Sequence, residues 1–353
     1  MLWIVHTTGK CNLRCKYCGG SIPEELMPWK PKYSAKDLKK IIDNDPDPTI
    51  IFYGGEPLLN PEFIMEIMDT LEARYGVQTN GTLPHLLPDS YWQRMETVLL
   101  SIDGVEWLTD KYRGKGIYRR VLNTAMWLSK FCKCRRIARM TVTKDACIYR
   151  DVVHLLELGS FTHVHWQLNV VWGDRWRFLD WARNRYLRGI TNLVRYTAEK
   201  LVNGQVPKII PFLGILTAEK NGGWGHIPCG AGFKSFSITT DGRILACPIA
   251  VREKWAILGD IWSGVEKVMR INDVSPECVK CEYFKWCGGR CLYSLYEKYW
   301  GDAGQKEICW VTKRTIDHVL KLVPIIDRLD KNGVASWNDV LYDPLHDSTE
   351  IIP

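Results

Sequence analysis

Cys11, Cys15 and Cys18 stand in the stretch CNLRCKYC, directly after the apolar run LWIVHTT. Three thiolates on one short loop can take three corners of a cubane iron-sulfur cluster and leave the fourth iron open for chemistry. The same loop could instead hold a structural zinc ion, with His6 as a fourth ligand. The triad alone does not choose between them.

The elements that must present this loop are legible as alternating strands and helices. Short β-branched or apolar runs at 2–8, 49–53, 75–79, 98–102, 137–143 and 163–170 predict six strands. Between them, Ser34 with Asp37 three residues on predicts a capped helix over SAKDLKKIID, and Asn60 followed by Pro61 predicts another over PEFIMEIMDTLEAR. Further helical patterns cover 117–131 and 152–158. Strand and helix in alternation predict an α/β fold of parallel strands with crossover helices, curled into a partial (β/α)6 barrel of TIM type. Such a barrel carries its chemistry at the carboxyl ends of the strands.

Unusual residues follow those strands. Gly54-Gly55-Glu56-Pro57 comes after the second; its glycines let backbone approach a ligand closely, and its carboxylate can accept hydrogen bonds from an ammonium. Thr79-Asn80-Gly81 follows the third strand, and Ser101-Ile102-Asp103-Gly104 closes the fourth. Each alone is an ordinary turn signal.

In this order, behind Cys-x-x-x-Cys-x-x-Cys with Tyr17 as the aromatic before the last cysteine, these motifs resemble the barrel of radical S-adenosylmethionine (SAM) enzymes. The resemblance implies that Cys11, Cys15 and Cys18 ligate a [4Fe-4S] cluster whose free iron is chelated by SAM. It implies that Gly54, Gly55 and Glu56 hold the methionyl amino group, that Ser101 lies near the ribose, and that Arg113 pairs with the carboxylate.

At 353 residues the chain exceeds one ordinary core, so four stretches are expected: the barrel at 1–170, a helical connection at 171–225, a cysteine-rich module at 226–310 and a helix with tail at 311–353. The net charge of +7 concentrates in 111–150 and 175–200, a solvated surface that would also steer an acidic peptide or redox partner. No apolar run approaches the roughly 20 residues that span a bilayer and no secretion signal is present, so no membrane partner and a cytoplasmic location are expected. Thirteen cysteines in such a chain read as metal ligands rather than disulfides. The first strand begins at Leu2, so no amino-terminal leader-binding domain is expected.

The connection reads as a helix from an Asp174 cap to Gly204. Trp172, Trp176 and Trp181 are expected in core packing and the arginines on a wet face, with the lining of a peptide groove as the second reading and nucleic acid stacking as a weaker one. Asn221 to Gly225 forms the boundary.

Beyond it stand Cys229, Gly242, Cys247, the run CVKCEYFKWCGGRC with Cys278, Cys281, Cys287 and Cys291, and finally Cys309. A zinc ribbon would use four of these seven and strand three. The order resembles the SPASM domain that follows the barrel in radical SAM enzymes acting on peptides and proteins. That resemblance implies two auxiliary [4Fe-4S] clusters, one on Cys229, Cys247 and Cys291 and the other on Cys278, Cys281, Cys287 and Cys309, and so three clusters in all.

Two departures matter. Sulfatase-maturing members carry a further cysteine just before the first of the seven, where this chain has NGGWGHIP, so the first auxiliary cluster has an open iron or another ligand such as His226, which otherwise is a loop histidine. Those members also place an aspartate base after the second cysteine, where this chain has Pro248, which counts against formylglycine formation. Cys132 and Cys134 are expected as an ordinary reduced pair, and Thr312 to Leu329 as an amphipathic helix before a tail that either covers the active-site mouth or hangs free.

The implied function is reductive cleavage of SAM to a 5'-deoxyadenosyl radical and oxidative modification of a peptide or protein side chain, with a small electron donor such as ferredoxin or flavodoxin. This resembles peptide-modifying members found in archaea. The same chemistry on a small molecule is the alternative, and a zinc protein binding nucleic acid through basic helices a more distant one.

Overall fold

Six runs rich in β-branched and aromatic residues become six parallel strands: β1 (Leu2–Thr8), β2 (Thr49–Gly54), β3 (Arg74–Thr79), β4 (Met95–Ser101), β5 (Arg135–Val142) and β6 (His163–Leu168). This computed structural model describes residues 1–171, 173–264, 268–271, 274–348, 350 and 352; Trp172 lies outside them. Each strand lies beside its predecessor, and the crossovers are α1 (Ala35–Ile42), α2 (Pro61–Thr70), α3 (Asp89–Gln93), α4 (Glu106–Arg113), α5 (Ile117–Leu128) and α6 (Ile148–Glu157). The expected six-stranded partial barrel is therefore the observed one.

Alternation along the strands separates the two faces. Trp3, Val5, Ile50, Phe52 and Val77 join Ile41, Ile64 and Val121 of the helices in the main core. Leu2, Ile4 and Ile51 point the other way and form a small cluster with Tyr53 and Leu345. His6, Tyr53, Ser101, Arg139, His165 and Gln167 share this concave side through the strand registers.

The caps come out unevenly. Ser34 and Asp37 form the predicted capping box, and α1 buries Ala35, Leu38, Ile41 and Ile42 at helical spacing. Asn60 makes no side-chain cap; its amide donates to the Thr7 carbonyl (2.8 Å) and ties α2 to the end of β1 instead. The connecting helix starts at Phe178, not at Asp174, as α7 (Phe178–Trp181), a π-helical turn (Ala182–Tyr186) and α8 (Leu187–Val202), with Gly204 left-handed just beyond. Trp181 is buried, and Trp176 meets Phe178, Trp181 and Trp300 edge-on, so both pack in the core. Arg175 and Arg177 pair with Glu307 and Asp180, and Arg183 lies over the Trp310 ring. α9 (Ile210–Asn221) is buried from Ile210 to Ala218, the signature of an apolar helix enclosed on all sides.

The cysteine-rich residues then extend the barrel sheet. β7 (Ser235–Ile238) pairs parallel with β1, and β8 (Arg243–Leu245) and β9 (Ile257–Asp260) follow antiparallel, giving one nine-stranded sheet. Short helices α10 (Pro276–Val279), α11 (Phe284–Cys287) and α12 (Leu292–Glu297) precede α13 (Gly301–Val319). The helix expected to begin at Thr312 thus starts at Gly301 and carries Cys309, and it continues through a 3-10 turn into α14 (Val323–Lys331). The tail after α15 (Trp337–Val340) turns into the concave side of the barrel: Leu345 packs there, and Ile352 is 2% exposed.

Candidate active site and iron-sulfur centres

The cysteine loop leaves β1 and folds on itself through backbone bonds. The amides of Cys18 and Gly19 both donate to the Cys15 carbonyl (3.1 Å each), and the Cys11 amide donates to Ser21 Oγ (2.9 Å). Cys15 is buried, Cys11 half-buried and Cys18 exposed. The Cys15 thiol donates to Cys18, which lowers the Cys18 pKa to about 6 and raises its own, while burial chiefly raises Cys11. Among the described residues no three His, Cys, Asp or Glu side chains are grouped to hold a single metal ion. A cubane gives each thiolate its own iron, so three thiols sharing one loop suit it. His6 is fully buried, and the groups that act on it are Arg243, Asp241 and the Pro248 backbone rather than the triad.

The Gly54-Gly55-Glu56 turn is pressed against this loop. A Cβ on Gly54 would lie 2.2 Å from the Thr8 carbonyl, and one on Gly55 2.2 Å from that of Lys10. The glycines therefore let the end of β2 meet the chain's own backbone. The buried carboxylate of Glu56 accepts from Thr79 Oγ1 (2.6 Å), the Asn80 amide (2.7 Å) and the Leu58 amide (3.2 Å), and burial pushes its pKa up to about 7. These three partners are donors of the chain itself. Asn80 in turn donates to Asn12 Oδ1 (2.8 Å), and its Nδ2 stands 4.0 Å from Cys11 Sγ. One network joins the second and third strand ends to the cysteine loop.

At the fourth strand end, Ser101 is half-buried and in register with Arg139. Asp103, which sequence reasoning read only as part of a turn, is the hub. It accepts two bonds from Arg113 (2.9 and 2.8 Å), one from the Tyr17 hydroxyl (2.7 Å) and one from the Thr141 amide (2.9 Å). Arg113, expected at a SAM carboxylate, is engaged here and lies 5.4 Å over the Tyr17 ring. Burial opposes its charge, and the Asp103 carboxylate outweighs it, raising its pKa. Tyr17 also stacks on Tyr112.

Of the seven later cysteines, Cys247 lies within electrostatic reach of Cys229 and Cys291; burial pushes Cys229 up to about 12 and raises the other two. Cys278, Cys281, Cys287 and Cys309 line a single pocket with Phe284 and Leu295. The two sets are those expected to hold the two auxiliary clusters, and grouped thiols in two separate places fit two such groups. Tyr53, on the concave side, lies within electrostatic reach of both Cys247 and Cys18, and burial pushes its pKa up to about 12. His226 turns its ring nitrogens to the Ile227 carbonyl (2.8 Å) and Lys234 (3.3 Å), as a loop histidine does. Cys132 and Cys134, expected reduced, are joined as a buried disulfide, because the turn into β5 brings their thiols together.

Residues 5–144 match the Radical SAM superfamily model. The chain is 23% identical to the cysteine-type anaerobic sulfatase-maturating enzyme of Clostridium perfringens, over 82% of this chain and 88% of that one. It is 26% identical to the antilisterial bacteriocin subtilosin biosynthesis protein AlbA of Bacillus subtilis, over 90% and 72%. Its fold resembles native anSMEcpe with bound AdoMet and Cp18Cys peptide, with a TM-score of 0.72 at 21% identity over 94% of this chain and 99% of that one. Among the described residues no helix is long and apolar enough to cross a membrane. The cysteine loop after β1, the strand-end network behind it and this match together identify residues 5–144 as a radical SAM domain, of the superfamily that carries a [4Fe-4S] cluster and binds SAM.

Proposed function

We propose that this enzyme cleaves SAM reductively and oxidatively modifies a side chain of a peptide or protein, by thioether formation, carbon-carbon crosslinking or dehydrogenation. The observation that supports the reading is Tyr53, which lies on the concave side of the sheet within electrostatic reach of both Cys18 and Cys247. When bound, the clusters and SAM supply one-electron cleavage, the hydrogen-abstracting radical it yields, and an acceptor for the electron left on the product. Cys11, Cys15 and Cys18 would hold the first cluster. Cys229, Cys247 and Cys291 would hold the second, and Cys278, Cys281, Cys287 and Cys309 the third. Glu56, Asn80 and Asp103 fix the loop that carries the triad, and the walls of the barrel keep water from the reacting centre.

The peptide substrate is supported by the relatives, one named for sulfatase maturation, one for subtilosin biosynthesis, and a structure of the same fold holding a peptide. Pro248 after Cys247 offers no carboxylate, so formylglycine formation is not the reading preferred here. A ferredoxin or flavodoxin would supply the electron. The test is co-expression with the peptides encoded beside the gene, followed by mass spectrometry. A mass loss in one peptide, dependent on Cys11, is expected; unchanged masses in every peptide would contradict the peptide substrate.

A further inference from the structure

The tail places one acidic side chain inside the barrel. Glu350 accepts from Arg139 Nη2 through both carboxylate oxygens (3.1 and 2.8 Å) and from Gln167 Nε2 (3.2 Å). Its backbone carbonyl accepts from Gln167 Nε2 (3.2 Å) and lies 2.7 Å from His165 Nε2. A carbonyl only accepts, so His165 carries its proton on Nε2.

This fit is incomplete. Both oxygens of Glu350 crowd one guanidinium nitrogen, whereas the planar fork of arginine pairs best with a carboxylate through two parallel N–H bonds. Among the described residues, Arg139 Nη1 is buried without a hydrogen-bond partner, and so is His165 Nδ1, which on this tautomer is an acceptor. Such groups ordinarily find partners when buried. One unused donor and one unused acceptor sit on strands paired residue for residue, Arg139 opposite His165. A peptide bearing a carboxylate and backbone N–H groups would satisfy both better than Glu350 does. The location matters equally: Arg139 and His165 share the concave face of the sheet with Tyr53, which lies within electrostatic reach of Cys18 and Cys247.

We propose that Arg139, Gln167 and His165 form a carboxylate-recognition site inside the barrel, filled here by Glu350 of the chain's own tail and taken over by an acidic residue of the substrate. This rests on reading the barrel interior as the peptide chamber, and it narrows the substrate to peptides with an Asp, a Glu or a terminal carboxylate near the modified position.

The probe is a fluorescein-labelled hexapeptide, STEIIP, copying residues 348–353, beside its counterpart STQIIP. Binding is read by anisotropy on anaerobic holoenzyme. A chain ended after Ser348 should bind STEIIP at least tenfold more tightly than STQIIP and at least tenfold more tightly than the full chain does. Adding Arg139→Gln should erase the discrimination. The full-length Glu350→Gln variant, whose tail keeps its packing, should also gain affinity for STEIIP over wild type. Equal binding of the two peptides by both the shortened chain and Glu350→Gln would overturn the proposal. Formation of 5'-deoxyadenosine by the wild-type preparation and the mass test above report on the radical and peptide readings separately, so either can fail without the other.

Discussion

Arg113 closes on Asp103 through two hydrogen bonds inside the protein, and the same carboxylate takes the Tyr17 hydroxyl from the cysteine loop. The pair is nearly dry, with 8% and 1% of the side chains exposed. Removing one partner leaves the other charge buried and unpaired, which costs about 3–5 kcal/mol. Arg113→Gln should therefore lower the melting temperature and the iron bound by the triad together. Tyr17→Phe loses a single bond to a charged acceptor, about 1.5–3 kcal/mol, and should sit between that variant and wild type. Melting curves and iron counts check the order; an unchanged Arg113→Gln would contradict the role given to the pair.

Glu56→Gln preserves shape but replaces one acceptor oxygen with an amide nitrogen. The three donors facing Glu56 cannot all be met, and one buried N–H or hydroxyl is left over at a cost of about 1–3 kcal/mol. The Asn80 link to the cysteine loop loosens, so SAM should bind about tenfold more weakly, near 1.4 kcal/mol. Equilibrium dialysis with labelled SAM measures this, and equal affinity would show that the network does not position the site.

Stability should fall in mild acid. Burial lowers the pKa of His6 to about 3, of His163 to about 3 and of His165 to about 4, from 6.5 in the unfolded chain. Between those values the unfolded chain binds protons that the folded chain does not. Stability is therefore lost as pH drops below 6.5, by about 1.4 kcal/mol per pH unit for each histidine over that window. Glu56, raised from 4.5 to about 7, binds its proton in the folded chain and acts in the opposite sense over that window. Three histidines outweigh it. Urea midpoints at pH 5 and 7 should differ in this direction, and His6→Phe should flatten the difference; a higher midpoint at pH 5 would contradict the buried neutral rings.

The pocket lined by Cys278, Cys281, Cys287 and Cys309 should hold a whole cluster. Cys278→Ala with Cys281→Ala should remove about four irons from about twelve, one cubane of three. Iron and sulfide analysis with electron paramagnetic resonance decides, and an unchanged iron count would contradict the ligand set.

What was legible in the sequence was whatever depends on neighbours in the chain. The triad, the glycine turn after β2, the Ser34 cap and six strands of alternating pattern are all local, and they appear where their spacing predicts. Asn60 was misread as a cap because a distant partner, the Thr7 carbonyl, was within reach, and the pairing of Arg113 with Asp103 is not visible in a turn motif. β7 is four residues long and gives no local sign that it will pair with β1. Glu350 meets Arg139 across 211 positions, a contact that no periodicity announces. Cys132 and Cys134 differ in kind: their closeness was visible in the sequence, and the structure joins them.

The central claim is that the loop on β1 is the radical-generating centre. Replacing Cys11, Cys15 and Cys18 together by alanine, and measuring 5'-deoxyadenosine from SAM under dithionite, tests it most directly. No 5'-deoxyadenosine is predicted, with about eight of about twelve irons retained on the two other sets at four per cubane. Wild-type 5'-deoxyadenosine formation by the triple variant would contradict the account.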